Sequence, residues 1–202
     1  MRLILTKLSP FARKVWAIVL EHRLHDRVLL DFVAPRLPRD SKPDVETVNP
    51  LSKVPALETP AGPVIDSRVI AAMLDELGGG GLIASGAERW AELTLEALAD
   101  GMCDAGVVVR LEYARPEAER RRDDIAAYRA KIERSLDMLE ASPPACERFH
   151  VGKIALIAAI DWLRVRSILE RDPLDGRPGV AAVHARWSER PCLAETRPVL
   201  PA

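Results

Sequence analysis

The sequence predicts an α/β unit followed by an all-helical half, and three observations carry that expectation. Over residues 1–77, short apolar runs of strand length alternate with segments of helical period. Four consecutive glycines, Gly78-Gly79-Gly80-Gly81, end the last of these helices and, with Ser85-Gly86, mark a linker. Beyond them every apolar pattern is helical. The expected division is a unit over 1–77, a linker over 78–86 and a helical domain over 87–202.

The elements follow in order. Residues 2–6 read as a short buried strand. Ser9-Pro10-Phe11 then starts a helix through Val15, Ala17, Ile18 and Leu20, because serine caps well and proline fits the first helical position. Residues 28–33 have a strand's length and apolar character. Residues 34–43, with Pro35, Pro38 and Pro43, read as a loop leading to a weak helix near 44–48. Residues 56–58 and 64–65 flank Thr59-Pro60-Ala61-Gly62-Pro63, a turn by composition, and so form a hairpin. Asp66-Ser67 precede a helix whose stripe is Val69, Ile70, Met73, Leu74 and Leu77. After the linker, Leu98, Met102, Ala105 and Val109 mark one helix, and Ile125, Tyr128, Ile132, Leu136 and Leu139 mark a second. Residues 154–165 are apolar nearly all round, which places that helix at a bundle centre. A last helix is expected near 180–188, before a proline-rich tail from Pro191.

Composition excludes several functions. The residues AVILMFWYC make up 48% and DEKR 29% of 202, and the net charge of -1 gives no global attraction to nucleic acid or an anionic membrane. Arg120, Arg121 and Arg122 are followed by Asp123 and Asp124, so they read as a solvated helix face. The longest apolar run is too short for a bilayer and the start lacks a signal-peptide core, so a cytoplasmic protein with no membrane partner is expected. Three separated cysteines without a CxxC pair suggest neither a disulfide framework nor a metal site.

The most informative stretch is Asn49-Pro50-Leu51-Ser52-Lys53-Val54-Pro55-Ala56-Leu57. Proline drives the preceding Val54 to extended geometry, and proline lies in sheets only at edges or strand starts. Val54 therefore has sideways backbone groups that fit an extended peptide-like ligand, or it belongs to a plain loop entering a strand.

An amino-terminal β-α-β-α-β-β-α unit bearing Ser9-Pro10-Phe11-Ala12-Arg13-Lys14, residues 49–57 and Asp66-Ser67, followed by a helical half, resembles the glutathione S-transferase family. The serine-type motif and the carboxyl half, with residues 96–105, 154–163 and Trp187 to Thr196, resemble a bacterial branch of it. The resemblance implies a thioredoxin-like domain plus a helical bundle, paired as a homodimer, with glutathione as co-substrate. It implies a cis Pro55, with the Val54 backbone pairing to the cysteinyl part of glutathione, and Asp66 and Ser67 at the γ-glutamyl end. A carboxylate suits an ammonium, and a helix N-terminus suits a carboxylate. Ser67 has helix capping as its other reading. Lys53 either steers the glycyl carboxylate or is an ordinary exposed lysine. Phe11 is expected at the site rim, and Arg13 and Lys14 supply positive potential or sit on a helix surface.

Ser9 is the expected catalytic residue. Its hydroxyl is placed to donate to the glutathione sulfur, and its competing role is the helix cap. Each unit of thiol pKa requires about 1.4 kcal/mol, so one charged hydrogen bond of roughly 1.5 to 3 kcal/mol supplies one or two units. Serine in place of cysteine disfavours mixed-disulfide chemistry. The electrophile is expected over the cleft between the halves, near Met102, Gly106 and Arg110, with core packing as the alternative for Met102.

The implied activity is activation of the glutathione thiol for attack on a small electrophile. Isomerisation and dehalogenation use the same thiol, and a non-catalytic glutathione-binding or partner-binding member is the alternative. One departure from the family pattern is His150-Val151-Gly152-Lys153, where a serine or threonine cap followed by aspartate is usual. Replacing His150 with Thr and Lys153 with Asp is therefore expected to raise the melting temperature. Asp161, inside the apolar run, either meets a buried arginine or faces solvent.

Overall fold

The structure, a computed structural model, describes residues 1–34 and 43–200. The expected loop over 34–43, with Pro35 and Pro38, lies almost wholly outside the described residues. The first half runs β1 (Arg2–Leu5), α1 (Pro10–Glu21), β2 (Leu29–Phe32), α2 (Pro43–Glu46), β3 (Ala56–Thr59), β4 (Gly62–Val64) and α3 (Ser67–Leu77). Its mixed sheet has the order β2-β1-β3-β4, with β2 parallel to β1 and the other pairs antiparallel. α1 and α3 pack together, and the arrangement is thioredoxin-like.

The second half contains α4 (Glu88–Tyr113), a 3-10 turn over Glu117–Glu119, α5 (Arg122–Ala141), α6 (Val151–Val165), α7 (Pro178–Trp187) and α8 (Pro191–Ala194). α6 is buried along nearly its whole length, as its all-round apolarity predicts. On α4, Met102, Ala105 and Val109 are buried as expected, whereas Leu98 is only half-buried and Leu95 and Ala99 take the core positions. The tail from Pro191 holds a short helix that its prolines concealed. Pro191 sits at the first helical position, where its missing N–H costs nothing. Among the described residues no helix is long and apolar enough to cross a membrane.

The glycine linker is not a free tether. Gly79, Gly80 and Gly81 all have positive φ, which L side chains rarely adopt. The buried carboxylate of Asp75 accepts the amides of Leu82 and Ile83 at 2.9 and 3.0 Å and lies 2.8 Å from Nε2 of His22. One acid on α3 thus fixes where the second half begins.

α1 is the helix on which the second half rests, and its charges are buried rather than on a surface. Nη1 of Arg13 lies 2.8 Å from Oδ2 of Asp161, its Nη2 donates to the Leu193 carbonyl and its Nε to Oγ1 of Thr196. Asp161 therefore faces a buried arginine, and its other oxygen meets Nε2 of His184 at 2.7 Å. Burial pushes the Asp161 carboxyl up, but His184 and Arg13 outweigh it and hold it below the ordinary range. Nζ of Lys14 lies 2.8 Å from Oε1 of Glu96 and donates to both oxygens of Asp100 at 3.0 and 2.8 Å. Neither cation points to solvent, which corrects both expectations for Arg13 and Lys14.

The first turn of α6 also differs from its expected weakness. His150 makes no side-chain cap bond, as anticipated. Lys153, however, is buried with its ammonium donating to the Arg148 carbonyl and lying 5.6 Å from the Trp187 ring centroid. Aspartate there would bury a carboxylate against a carbonyl, so that half of the expected stabilisation reverses in sign.

Candidate functional site

The sheet brings three expected groups to one end. β1 and β3 are antiparallel with Ile4 opposite Ala56, so Val54-Pro55 lies beside the chain leaving β1 towards Ser9. β3 and β4 are antiparallel with Leu57 opposite Val64, so Ile65-Asp66 leaves β4 on the other side of Val54-Pro55. Adjacent strands are about 4.8 Å apart. The Ser9 turn, Val54-Pro55 and Asp66-Ser67 therefore form a row across one edge of the sheet.

Asn49 builds the middle of that row. Its Nδ2 donates to the Lys53 carbonyl at 2.8 Å and its Oδ1 accepts the Leu51 amide at 3.0 Å. The Val54–Pro55 bond is cis, and so is Ile65–Asp66. Among the described residues neither the amide nor the carbonyl of Val54 has a hydrogen-bond partner, which is the free edge that the two prolines suggest. Lys53 is exposed beside it.

Ser9 precedes α1 in extended geometry, and its Oγ accepts the Ala12 amide at 3.2 Å. The cap role is real, yet it uses only a lone pair. No acceptor among the described residues takes the hydroxyl hydrogen, so capping and donation are compatible on one oxygen. Phe11, two residues on, is half-buried.

At α3 the cap is Asp66, not Ser67: its Oδ1 accepts the Arg68 amide at 3.0 Å. Ser67 is instead the first helical residue, 4% exposed, with a hydroxyl that makes no hydrogen bond among the described residues. Capping by Asp66 leaves the Ser67 hydroxyl and amide available for an anion at the positive end of the helix.

Three residues not singled out from the sequence support the row from behind. Arg68 donates from Nε to Oδ2 of Asp100 at 2.9 Å, the same carboxylate that holds Lys14. One acid on α4 thereby ties α3 and α1, whose N-termini carry Ser67 and Ser9. Asp104, one turn further along α4, has its carboxyl pushed up by burial against the opposing pull of Lys53, with Asp100, Arg68 and Asp66 also acting on it. The signal in the sequence was the spacing of Glu96, Asp100 and Asp104, one face of a helix at four-residue intervals.

The expected electrophile contacts separate. Met102 is 1% exposed in the core and presents nothing to a ligand. Gly106 is a packing residue: a Cβ there would come within 2.5 Å of the Trp162 ring, so glycine permits α4 to approach α6. Arg110 is half-buried and has no hydrogen-bond or ion-pair partner among the described residues.

A cavity of about 590 Å³ lies elsewhere, between Tyr113, Arg120, Arg122, Ile125, Arg129 and Leu169. Arg122 and Arg129 pair there with Glu117 and Glu170, and Arg120 donates to the Arg115 and Tyr113 carbonyls. Among the described residues no cluster of three or more His, Cys, Asp or Glu side chains is arranged to hold a metal ion.

Comparison with known proteins identifies the family of the fold. Residues 8–77 match the family described as glutathione S-transferase, N-terminal domain. The chain is 32% identical to the uncharacterized GST-like protein YibF of Escherichia coli (strain K12), over 98% of both chains. A glutathione transferase family member from Pseudomonas fluorescens Pf-5, solved with bound glutathione, is 35% identical with a TM-score of 0.92, covering 98% of this chain and 99% of that one. A structure of a Pseudomonas fluorescens Pf-5 family member with bound S-(propanoic acid)-glutathione is 34% identical with a TM-score of 0.86, covering 99% and 100%.

Proposed function

The chain belongs to the glutathione S-transferase family, and we propose that it binds glutathione along the row of Ser9, Val54 and Ser67 and activates its thiol for attack on a small electrophile. The observation that carries the reading is the Ser9 hydroxyl, fixed by the Ala12 amide with its hydrogen unclaimed. The cysteinyl backbone of glutathione pairs with the free Val54 groups, which sets the sulfur beside Ser9. The γ-glutamyl carboxylate takes the Ser67 hydroxyl and amide, and the ammonium takes the open oxygen of Asp66. Lys53 faces the glycyl carboxylate and Phe11 borders the site. The Ser9 hydrogen and the N-terminus of α1 then favour thiolate over thiol. Binding of S-(propanoic acid)-glutathione by the relative supports a site that tolerates a substituent on sulfur.

Ser9→Ala is expected to raise the pKa of the bound thiol by about one unit and to lower turnover with a general electrophile about ten-fold. Glutathione affinity should stay within about three-fold, because Val54 and Ser67 carry most of the binding. A thiolate absorbance titration with steady-state rates checks this, at temperatures well below melting because the variant also loses its cap. An unchanged thiol pKa and rate remove Ser9 from the mechanism. Glutathione bound without any thiolate band in the parent protein favours the non-catalytic alternative.

The protein acts as a homodimer in the cytoplasm in this reading. Trp90, 68% exposed at the start of α4, supports the pairing together with exposed Leu51 and Val69, since large exposed apolar side chains mark interfaces. Trp90→Glu is expected to shift the sedimentation coefficient to that of a monomer, and an unshifted value counts against that surface.

A further inference from the structure

In the second half, half-buried Arg120 donates to the Arg115 and Tyr113 carbonyls, and Arg129, Arg164, Arg177 and Arg190 each reach a carboxylate. Arg110 on α4 and Arg166 just after α6 reach none among the described residues, although both are half-buried. Nε of Arg166 is fully buried with no hydrogen-bond partner among the described residues. A guanidinium nitrogen held out of water without an acceptor costs free energy, so two half-buried guanidiniums with no matching carboxylate favour an anion.

Packing brings the two to one level. A Cβ on Gly152 would touch the Glu92 carbonyl and Leu95, and a Cβ on Gly106 would touch Trp162 and Leu163, so α4 and α6 run parallel in register. One turn beyond the second contact, Arg110 on α4 stands level with Arg166. Consistently, the Arg166 guanidinium is pushed below its ordinary pKa by burial and then by the charge of Arg110.

The same level is that of Ser9. At its far end α1 meets the first turn of α6, because His22 holds Asp75, Asp75 holds Leu82, and the Leu82 carbonyl accepts the Val151 amide. Arg13 meets Asp161, ten residues further along α6. α1 therefore runs antiparallel to α6. Ser9, four residues before Arg13, points to the end where Arg166 lies five residues past Asp161, each step being about 1.5 Å per residue.

We propose that Arg110 and Arg166 form an anion subsite on the electrophile side of the thiol, so that the preferred electrophiles carry a carboxylate or a group of similar charge. The subsite rests on the reading of Ser9, Val54 and Ser67 as the glutathione site and adds the substrate class to it. Two guanidiniums at one level take both oxygens of a carboxylate, and burial strengthens the interaction.

The test is calorimetric titration of the full chain with glutathione, S-benzylglutathione and S-(4-carboxybenzyl)glutathione, repeated with Arg110→Gln, Arg166→Gln, both together, and Arg166→Lys. The carboxylated conjugate should bind the parent protein about ten-fold more tightly than the uncharged one. That preference should fall at least about three-fold in each glutamine variant and vanish in the double variant, while Arg166→Lys keeps most of it. Equal affinity for the two conjugates in the parent protein, or a preference that survives the double variant, overturns the proposal. Failure of glutathione itself to bind overturns the underlying site, whereas glutathione binding without preference removes only the anion subsite. Folding does not confound the measurement, because Arg166→Lys keeps the charge and each single variant is read by a ratio of two ligands.

Discussion

Lys14→Met is expected to destabilise the protein by about 3–5 kcal/mol, measured by urea denaturation at neutral pH, because it strands carboxylates in the interior. The Lys14 and Glu96 side chains are each only 1% exposed, and Asp100 lies beside them with Arg68 as its other cation. The pair loses far more solvation than an exposed bridge does, so its balance depends on both charges remaining. Burial, joined by the charge of Asp100, holds the Glu96 carboxyl above its ordinary range, and Lys14 is the main group opposing it. Without Lys14, Glu96 takes a proton or leaves its place, and the carboxylate that joins α1 and α3 to α4 loses two of its hydrogen bonds. Lys14→Met combined with Glu96→Leu should recover most of the loss, since an apolar pair of similar volume replaces a buried ion pair at little cost. Equal stability of Lys14→Met and the parent protein would show that these groups are not held together in solution.

The same residues show what the sequence could and could not reveal. Ser9-Pro10 marked the start of α1 because capping and a fixed φ are local properties. Pro55 marked the edge at Val54 for the same kind of reason, and the glycines after Leu77 marked the end of α3. Arg13 and Lys14 were read as site or surface charges, because a cation on an amphipathic helix is usually exposed. Their partners Asp161, Glu96 and Asp100 lie far away in sequence and appear only when α1 is packed on α4 and α6. Ser67 looked like a cap because it precedes an apolar stripe, yet Asp66, one residue earlier, takes that role with a carboxylate that accepts the Arg68 amide. Gly106 was expected near the electrophile, and only the Trp162 ring across the helix pair explains it. Arg166, which follows the last apolar turn of α6, has no local feature that distinguishes it from any helix-ending arginine.

His150 gives the second large effect, and its sign is set by proton linkage. The residue is 8% exposed, Nδ1 has no partner among the described residues, and burial followed by the charges of Lys153 and Arg148 brings its pKa down to about 4. An unfolded histidine titrates near 6.5, so between about 6.5 and 4 the unfolded chain binds a proton that the folded one refuses. Folded-state stability contributed by the neutral ring is therefore complete above about pH 6.5 and is lost as pH falls through that window, up to roughly 3 kcal/mol in total. Carboxylates held low, such as Asp161 beside Arg13 and His184, act in the same direction but only as pH falls through and below the ordinary carboxylate range. His150→Asn separates the two. Asparagine does not titrate, resembles the near half of the ring and is a preferred N-cap for α6, which the parent residue leaves without a side-chain cap bond. Unfolding free energies from urea denaturation between pH 7.5 and pH 4.5 should converge or favour the variant slightly at the top and separate by about 2 kcal/mol in its favour at the bottom. Parallel curves for the two proteins would place His150 in contact with water, and would restore the plain view that this turn is merely an uncapped helix start.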